Sequence, residues 1–306
     1  MNATHTRTPG PGPGGGEGRK RIVVAGATGA VGSRAVRLLA SGHEVSALTR
    51  DPDRAARAGL PGRIVGVDND DRPGLVRACA GADALFLITS DPMRLSHDEN
   101  LLAAARTAGV RHVVKLSALA VTDPLATDGM TRRQRECEEL VRSAGMDWTL
   151  LRPRSFMSNA LGWAPGILRD GVVRAPYGSS RNACVDSLDV AAAAATVLAA
   201  PGHHGRAYAL TGPEAVSVRE QTEQLASVLD RPLRFVELTL DEARAGWGRR
   251  YPEPVVQALA ESAARQEAGA KLGVTDEVER LTSRPARTFG QWARSHAAEF
   301  RRPVKP

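Results

Sequence analysis

From residue 20 onward, short apolar runs alternate with amphipathic stretches. Residues 22–25, 43–49, 63–68, 84–89, 112–116 and 148–151 read as six strands. The fourth, Ala-Leu-Phe-Leu-Ile-Thr, is apolar at almost every position, as a strand covered on both faces should be. Between the strands, 31–40, 54–58, 73–80, 97–108 and 132–143 carry helical periodicity, and Gly42, Gly109 and Gly145 stand where three of these helices stop. Such alternation predicts right-handed crossovers and an α/β fold of Rossmann type, a doubly wound parallel sheet with helices on both faces. After Pro153 the pattern changes. Residues 154–183 read as loop, 187–200 as an alanine-rich helix returning to the sheet, and 207–210 as a further strand. From Thr211 on, the chain predicts a smaller, mostly helical C-terminal lobe.

The first strand runs straight into Gly26-Ala27-Thr28-Gly29-Ala30-Val31-Gly32, and a helix follows at once. A strand, a glycine-rich turn and a helix in that order build a dinucleotide phosphate site. Gly26 permits the tight turn, Gly29 lets the backbone approach a pyrophosphate, and Gly32 lets the helix pack on the strand. The N–H groups of the helix start then face the anion. The expected phosphate-binding residues are therefore Gly26, Thr28, Gly29, Ala30, Val31 and Gly32. The expected division of the chain is a disordered tail over 1–19, a nucleotide-binding domain over 20–152 completed by about 183–212, and a substrate lobe from 153–182 and 213–306.

The second strand ends Leu48-Thr49-Arg50-Asp51. Nicotinamide sites for NAD usually place an acid here, on the ribose 2′-hydroxyl. Arg50 is instead a charge-assisted donor for a 2′-phosphate, and the Thr49 hydroxyl can add a contact. Asp51 either takes the ribose of NADH or caps the next helix ahead of Pro52. NADPH is thus the favoured cofactor, with NADH the lesser alternative. Asp68 and Asn69 end the third strand within reach of an adenine, Thr89 and Ser90 end the fourth beside the ribose and nicotinamide, and Ser117 ends the fifth. All are also ordinary turn residues.

Composition narrows the partners. The 306 residues are 42% hydrophobic with a net charge of +7, and 37 of the 41 basic residues are arginines. With aromatics at 4% and no helix-turn-helix or zinc-finger pattern, a nucleic-acid partner is disfavoured. Cys79, Cys137 and Cys184 are too widely spaced for a disulfide framework or thiol metal site, and no metal is expected. No apolar run reaches a membrane span and no signal-peptide core is present, so a soluble cytoplasmic protein is expected. A homo-oligomer is compatible with this chain.

These motifs, with Leu48-Thr-Arg-Asp-Pro52, Ala108-Gly-Val-Arg-His-Val-Val-Lys-Leu-Ser117, Trp148-Thr-Leu-Leu-Arg-Pro153, Phe156-Met-Ser-Asn159, Tyr208-Ala-Leu-Thr-Gly-Pro-Glu214 and Arg287-Thr-Phe-Gly-Gln-Trp292, resemble the NmrA-like, or atypical short-chain dehydrogenase/reductase, family over roughly residues 20–300. That resemblance implies NAD(P)H binding. It embraces reductases of quinones, dyes and aromatic natural products, and nucleotide-sensing regulators without turnover. The Tyr-x-x-x-Lys pair of typical short-chain reductases is missing: Tyr177, Tyr208 and Tyr251 are followed four residues on by Arg181, Gly212 and Val255. Many NmrA-like reductases carry a histidine or lysine four residues before a glutamate on the helix after the fifth strand. The resemblance puts Glu138 at the glutamate and Gln134 at the acid position, and an amide cannot deliver a proton.

Two expectations follow. In the favoured one, NADPH reduces an electron-poor conjugated acceptor, a quinone or polyaromatic ketone, whose developing anion needs hydrogen bonds more than a strong acid. Ser117 and Gln134 are the candidate catalytic donors, Arg133 or Arg135 adds positive charge, and Phe156, Met157, Asn159, Trp163 and His97 form the substrate wall. In the other, the protein binds the dinucleotide without turnover and reports redox state to a protein partner through its basic ends.

Overall fold

The computed structural model describes residues 18–301 apart from 90 and 92. Most of the expected tail lies outside the described residues, and so does Ser90. Seven strands, β1 (Arg21–Val24), β2 (Glu44–Thr49), β3 (Arg63–Gly66), β4 (Ala84–Leu87), β5 (His112–Leu116), β6 (Asp147–Pro153) and, after an excursion, β9 (Arg206–Leu210), form one sheet. Its order is β3-β2-β1-β4-β5-β6-β9, and every neighbouring pair is parallel. The helices between them are α1 (Gly32–Leu39), α2 (Pro52–Arg57), α3 (Arg72–Cys79), α4 (Leu95–Thr107) and α5 (Gly129–Ser143). The order reverses between β1 and β4, where sheets of this kind open a crevice for ligands.

The sheet is apolar on both faces because both are covered. Ile22, Val24, Phe86, Val114 and Leu151 join Ala35, Val36 and Leu39 of α1 and Val190, Val197 and Leu198 of α7 (Ser187–Ala199) in one core cluster. Val23, Leu85, Leu87, Val113 and Leu150 pack with Leu75, Leu101, Ala105 and Val141 of α3, α4 and α5 on the other. Successive strand residues point to opposite faces, so these strands carry continuous apolar runs rather than alternation. Helix starts follow their caps. Asp51, Asp71, Asp128 and Asp186 each accept a backbone N–H of the first turn, which begins α5 at Gly129, three residues ahead of the apolar periodicity.

Residues 154–183 are not loop. They hold a 3₁₀ turn (Met157–Trp163), α6 (Ala164–Asp170), β7 (Val172–Ala175) and β8 (Arg181–Asn182). These elements are short, and their partners come from far along the chain. β7 pairs with β11 (Arg234–Glu237), and β8 with β10 (Val216–Ser217). Around them fold α8 (Val218–Leu229), α9 (Leu240–Gly248), α10 (Glu253–Glu267), α11 (Glu277–Thr282) and α12 (Phe289–Ser295). Met157, Ile167, Val173, Leu225, Phe289, Trp292 and Phe300 form a third core under this part.

At the start of α7, Asp186 is 1% and Asp189 8% exposed. Arg287 pairs with Asp186 at 3.0 Å and gives its backbone N–H to Asp189 at 2.8 Å. Burial, with Asp186 adding repulsion, raises the Asp189 carboxyl from the ordinary 3.8 to about 6. A raised carboxyl favours the neutral native state, so this stability is complete below the unfolded value and lost as pH rises through about 6. Asp189→Asn keeps the acceptor and cannot ionise. It should stabilise the protein by about 2 kcal/mol at pH 7.5, and much less at pH 4.5, in paired thermal melts. An equal difference at the two pH values would refute this account of Asp189.

Candidate active site

A cleft of about 600 Å³ opens where β1 and β2 end, lined by Gly26, Thr28, Gly29, Leu48, Thr49, Arg50, Asp51, Arg54, Val67, Asn69 and Ile88. Its floor depends on glycine. Gly26 has φ +62°, and a Cβ on Gly32 would stand 2.3 Å from the Gly26 carbonyl oxygen, so any side chain there would push α1 off the turn. The N–H groups of Thr28, Ala30, Val31 and Gly32 donate to no protein acceptor among the described residues. Free N–H groups around a glycine turn are what a pyrophosphate requires, so the loop fits a dinucleotide.

At the far end of this cleft stand two guanidinium groups, Arg50 and Arg54. The second follows on the first turn of α2, whose cap is the Asp51 carboxylate, accepting Arg54 N–H at 2.9 Å. Asp51 thus performs the capping task, through Oδ1, and still lines the cleft. Thr49 closes the same turn, its Oγ1 accepting Asp51 N–H at 3.1 Å.

Among the other expected nucleotide contacts, Val31 is 5% exposed with its side chain in the core and Ala30 is exposed with its carbonyl bound by Arg34, so both face the cleft only through their free backbone N–H groups. Asp68 is exposed, holds the Asp70 N–H in a turn and stands outside the lining, whereas Asn69 is within it. Thr89 gives its hydroxyl to Asp98 at 3.0 Å, in a buried group with Lys115, whose Nζ lies 2.7 Å from the same carboxylate.

Beyond the carboxyl ends of β5 and β6 lies a chamber of about 280 Å³, where Ser117 and Gln134 meet the charged groups Asp123, Asp128, Arg154, Arg265 and Lys271, the polar Asn159 and Ser262, and an apolar wall that includes Ala118, Ala120, Met130, Pro153 and Phe156; we call it the polar chamber for its charged groups. A second chamber of about 250 Å³ shares Phe156, Asn159, Ser262 and Lys271 with it and continues along Met157, Trp163, Trp247 and Leu259. His97 lines neither. It is buried beside Asp70, 3.8 Å away, because its position on α4 faces the loop after β3. A further cavity, of about 470 Å³, lies among Arg21, His43 and Arg63 at the amino ends of the strands, the wrong end of a parallel sheet for chemistry.

Ser117 proves to be a structural donor. Its hydroxyl lies 2.7 Å from Glu138, which also receives Arg152 at 2.8 and 2.6 Å and Arg142 at 2.8 Å. Burial alone would raise the Glu138 carboxyl, but Arg152, Ser117 and Arg142 together hold it below the usual carboxylate range. An ionised Glu138 can only accept, so the Ser117 proton points at it and only the oxygen's lone pairs remain for a ligand. Arg133 pairs with Glu136, and Arg135 donates to the carbonyls of Val121, Asp123 and Ala126, tying down the loop before α5. Neither arginine supplies free charge to the chamber. Gln134 does face it, and its buried Oε1 has no partner among the described residues.

A family model described as NAD(P)H-binding matches residues 26–201. The chain belongs to this family. Within it the protein is of the NmrA-like, atypical short-chain dehydrogenase/reductase type. It is 52% identical to a (4-alkanoyl-5-oxo-2,5-dihydrofuran-3-yl)methyl phosphate reductase of Streptomyces griseus, over 91% of this chain and 99% of the relative. It is 35% identical to an NAD(P)H azoreductase of Xenophilus azovorans, with the same coverage. An Escherichia coli NADPH-dependent quinone oxidoreductase solved with NADPH superposes with a TM-score of 0.80 at 26% identity, over 90% of this chain and 99% of the other. The protein is an NAD(P)H-dependent oxidoreductase.

Sequence reading missed Arg54 in this oxidoreductase, although its spacing of four from Arg50 across a capped helix start was a usable signal. It also missed Arg154, Arg265 and Lys271, which no local pattern connects. Because only NADPH carries a 2′-phosphate, Arg50→Ala and Arg54→Ala should each weaken NADPH by at least about tenfold and NADH by less than about threefold in fluorescence titrations. Equal losses for the two nucleotides would remove both arginines from that role.

Proposed function

We propose that the protein is an NADPH-dependent reductase of small conjugated acceptors in which hydride addition yields a delocalised anion. The carrying observation is the lining of the chamber around Gln134: amide and hydroxyl groups, three cations and two carboxylates, and, among the described residues, no tyrosine or histidine, while Tyr177 lines the second chamber. Reduction of an isolated ketone develops charge on one oxygen and calls for a positioned acid. An anion spread over two carbonyl groups needs hydrogen-bond donors and positive potential instead. The acceptors after which the relatives are named fit that picture in two cases, an acylated furanone and a quinone, each with two carbonyl groups on a conjugated system, while the third, an azo compound, is an unsaturated acceptor without a required carbonyl.

Arg50 and Arg54 would hold the 2′-phosphate of NADPH, the turn from Gly26 to Gly32 its pyrophosphate, and Asn69 its adenine end. When bound there, NADPH supplies a hydride. The unpartnered amide oxygen of Gln134 would accept from the carboxamide N–H of the nicotinamide, and its amide nitrogen would donate to a carbonyl of the acceptor. Ser117, locked by Glu138, keeps the end of β5 in place. Phe156, Asn159, Met157 and Trp163 form the acceptor's wall. Among the described residues, no helix is long and apolar enough to cross a membrane.

The test is NADPH oxidation by the purified protein with three acceptors: the acylated furanone phosphate, menadione and cyclohexanone. The reading predicts turnover of the first two at least a hundredfold faster than of the isolated ketone. Equal or faster reduction of cyclohexanone, or no turnover with any, would overturn it.

A further inference from the structure

Apart from Asp189, the charges this fold buries away from the chamber are paired among the described residues. Lys115 lies against Asp98, Glu138 against two arginines, and Asp186 against Arg287. The polar chamber departs from that habit. Three of its lining residues are cations, Arg154, Arg265 and Lys271, and two are acids. Asp123 is taken by Arg265. Asp128 is the cap of α5 and receives the Thr131 N–H at 2.9 Å and hydroxyl at 2.6 Å.

That leaves Arg154 and Lys271. Arg154 extends from the end of β6, its backbone N–H fixed on the Leu210 carbonyl at 2.8 Å. Its side chain forms no ion pair among the described residues, and its Nε is buried without a hydrogen-bond partner. The Lys271 ammonium, brought in by the segment after α10, donates to Ser262 Oγ at 2.7 Å and likewise has no ion pair among the described residues. Burial pulls the ammonium down to about 8, with the Arg154 charge the next cause and the Asp128 carboxylate opposing both. The lining thus holds three cations against two carboxylates, one positive charge in excess, with neither Arg154 nor Lys271 in an ion pair among the described residues, an arrangement that an anionic ligand completes.

We propose that Arg154 and Lys271 form an anion subsite that holds a phosphate monoester on the substrate, while the second chamber takes an apolar chain of the same molecule. The proposal rests on the reading of the site as a conjugate reductase. A guanidinium can clamp two phosphate oxygens in one plane, an ammonium can take a third, and the pair matches the double charge of the ester. The subsite shares its chamber with Gln134, so a phosphate held there leaves the rest of a small molecule beside the groups proposed for chemistry. Lys271 and Asn159 stand where the two chambers meet, and Trp163, Trp247 and Leu259 line the apolar side.

The test uses octyl phosphate and 1-octanol, titrated by calorimetry into protein already saturated with NADP⁺, so that the nucleotide's own phosphate contacts are filled. Octyl phosphate should bind at least about thirtyfold more tightly than octanol. Arg154→Met and Lys271→Met, which keep the packing of the stems, should each cut that ratio at least tenfold. The wild-type comparison needs no variant, and Lys271→Gln provides a milder substitution if either methionine variant fails to fold. Equal binding of phosphate and alcohol, or a ratio untouched by the substitutions, would overturn the subsite. If conjugated acceptors are reduced but octyl phosphate gains nothing, the subsite falls and the reductase reading stands. If octyl phosphate behaves as expected and no conjugated acceptor turns over, the reductase reading falls alone.

Discussion

Burial of a seven-stranded parallel sheet on both faces is the constraint from which the rest follows. Its central strands are mostly apolar, with exceptions such as Lys115 paired to Asp98, so groups with chemistry to offer collect where the strands end. At the β1–β4 reversal that end is the glycine turn, with its unused N–H groups and a Gly32 that tolerates no side chain. At the ends of β5 and β6 it is Ser117, Arg152 and Arg154. One buried carboxylate, Glu138, fastens the first two of these to α5. The third is left facing a chamber. A single architectural demand thus produces a cleft for a dinucleotide and, next along the sheet, a room for what the dinucleotide reduces.

Much of this was legible in the chain. Short apolar runs between helical stretches located the first six strands, and the glycine spacing located the turn between β1 and α1. Asp51 was legible as a cap from the proline after it. What escaped was whatever depends on distant segments meeting. Residues 154–183 look like loop because β7 and β8 are short and take their hydrogen bonds from β11 and β10. Ser117 looked like a donor for a ligand because its acceptor, Glu138, stands a helix away. His97 looked like pocket wall because nothing local says that α4 turns it to Asp70. Arg154 and Lys271 share a chamber only because the helical part folds back over the sheet.

The missing Tyr-x-x-x-Lys pair takes on a different meaning once the chamber is seen. A glutamine and a serine whose proton is committed are poorly suited to protonating an alkoxide. With the positive potential of Arg154 and Lys271 they are suited to a delocalised anion, and the Lys271 ammonium, pulled down to about 8, is, among the described residues, the one group of the chamber able to return a proton to it. The proposed reaction therefore matches the residues present.

The most direct test of that reaction is to follow the transferred hydrogen. With NADPH deuterated at both C4 positions and the acylated furanone phosphate as acceptor, nuclear magnetic resonance of the product should find one deuterium on ring carbon 3, the far end of the conjugated double bond, with both carbonyl groups intact. Deuterium on a newly formed alcohol carbon would contradict the account, because it would mean direct reduction of a carbonyl.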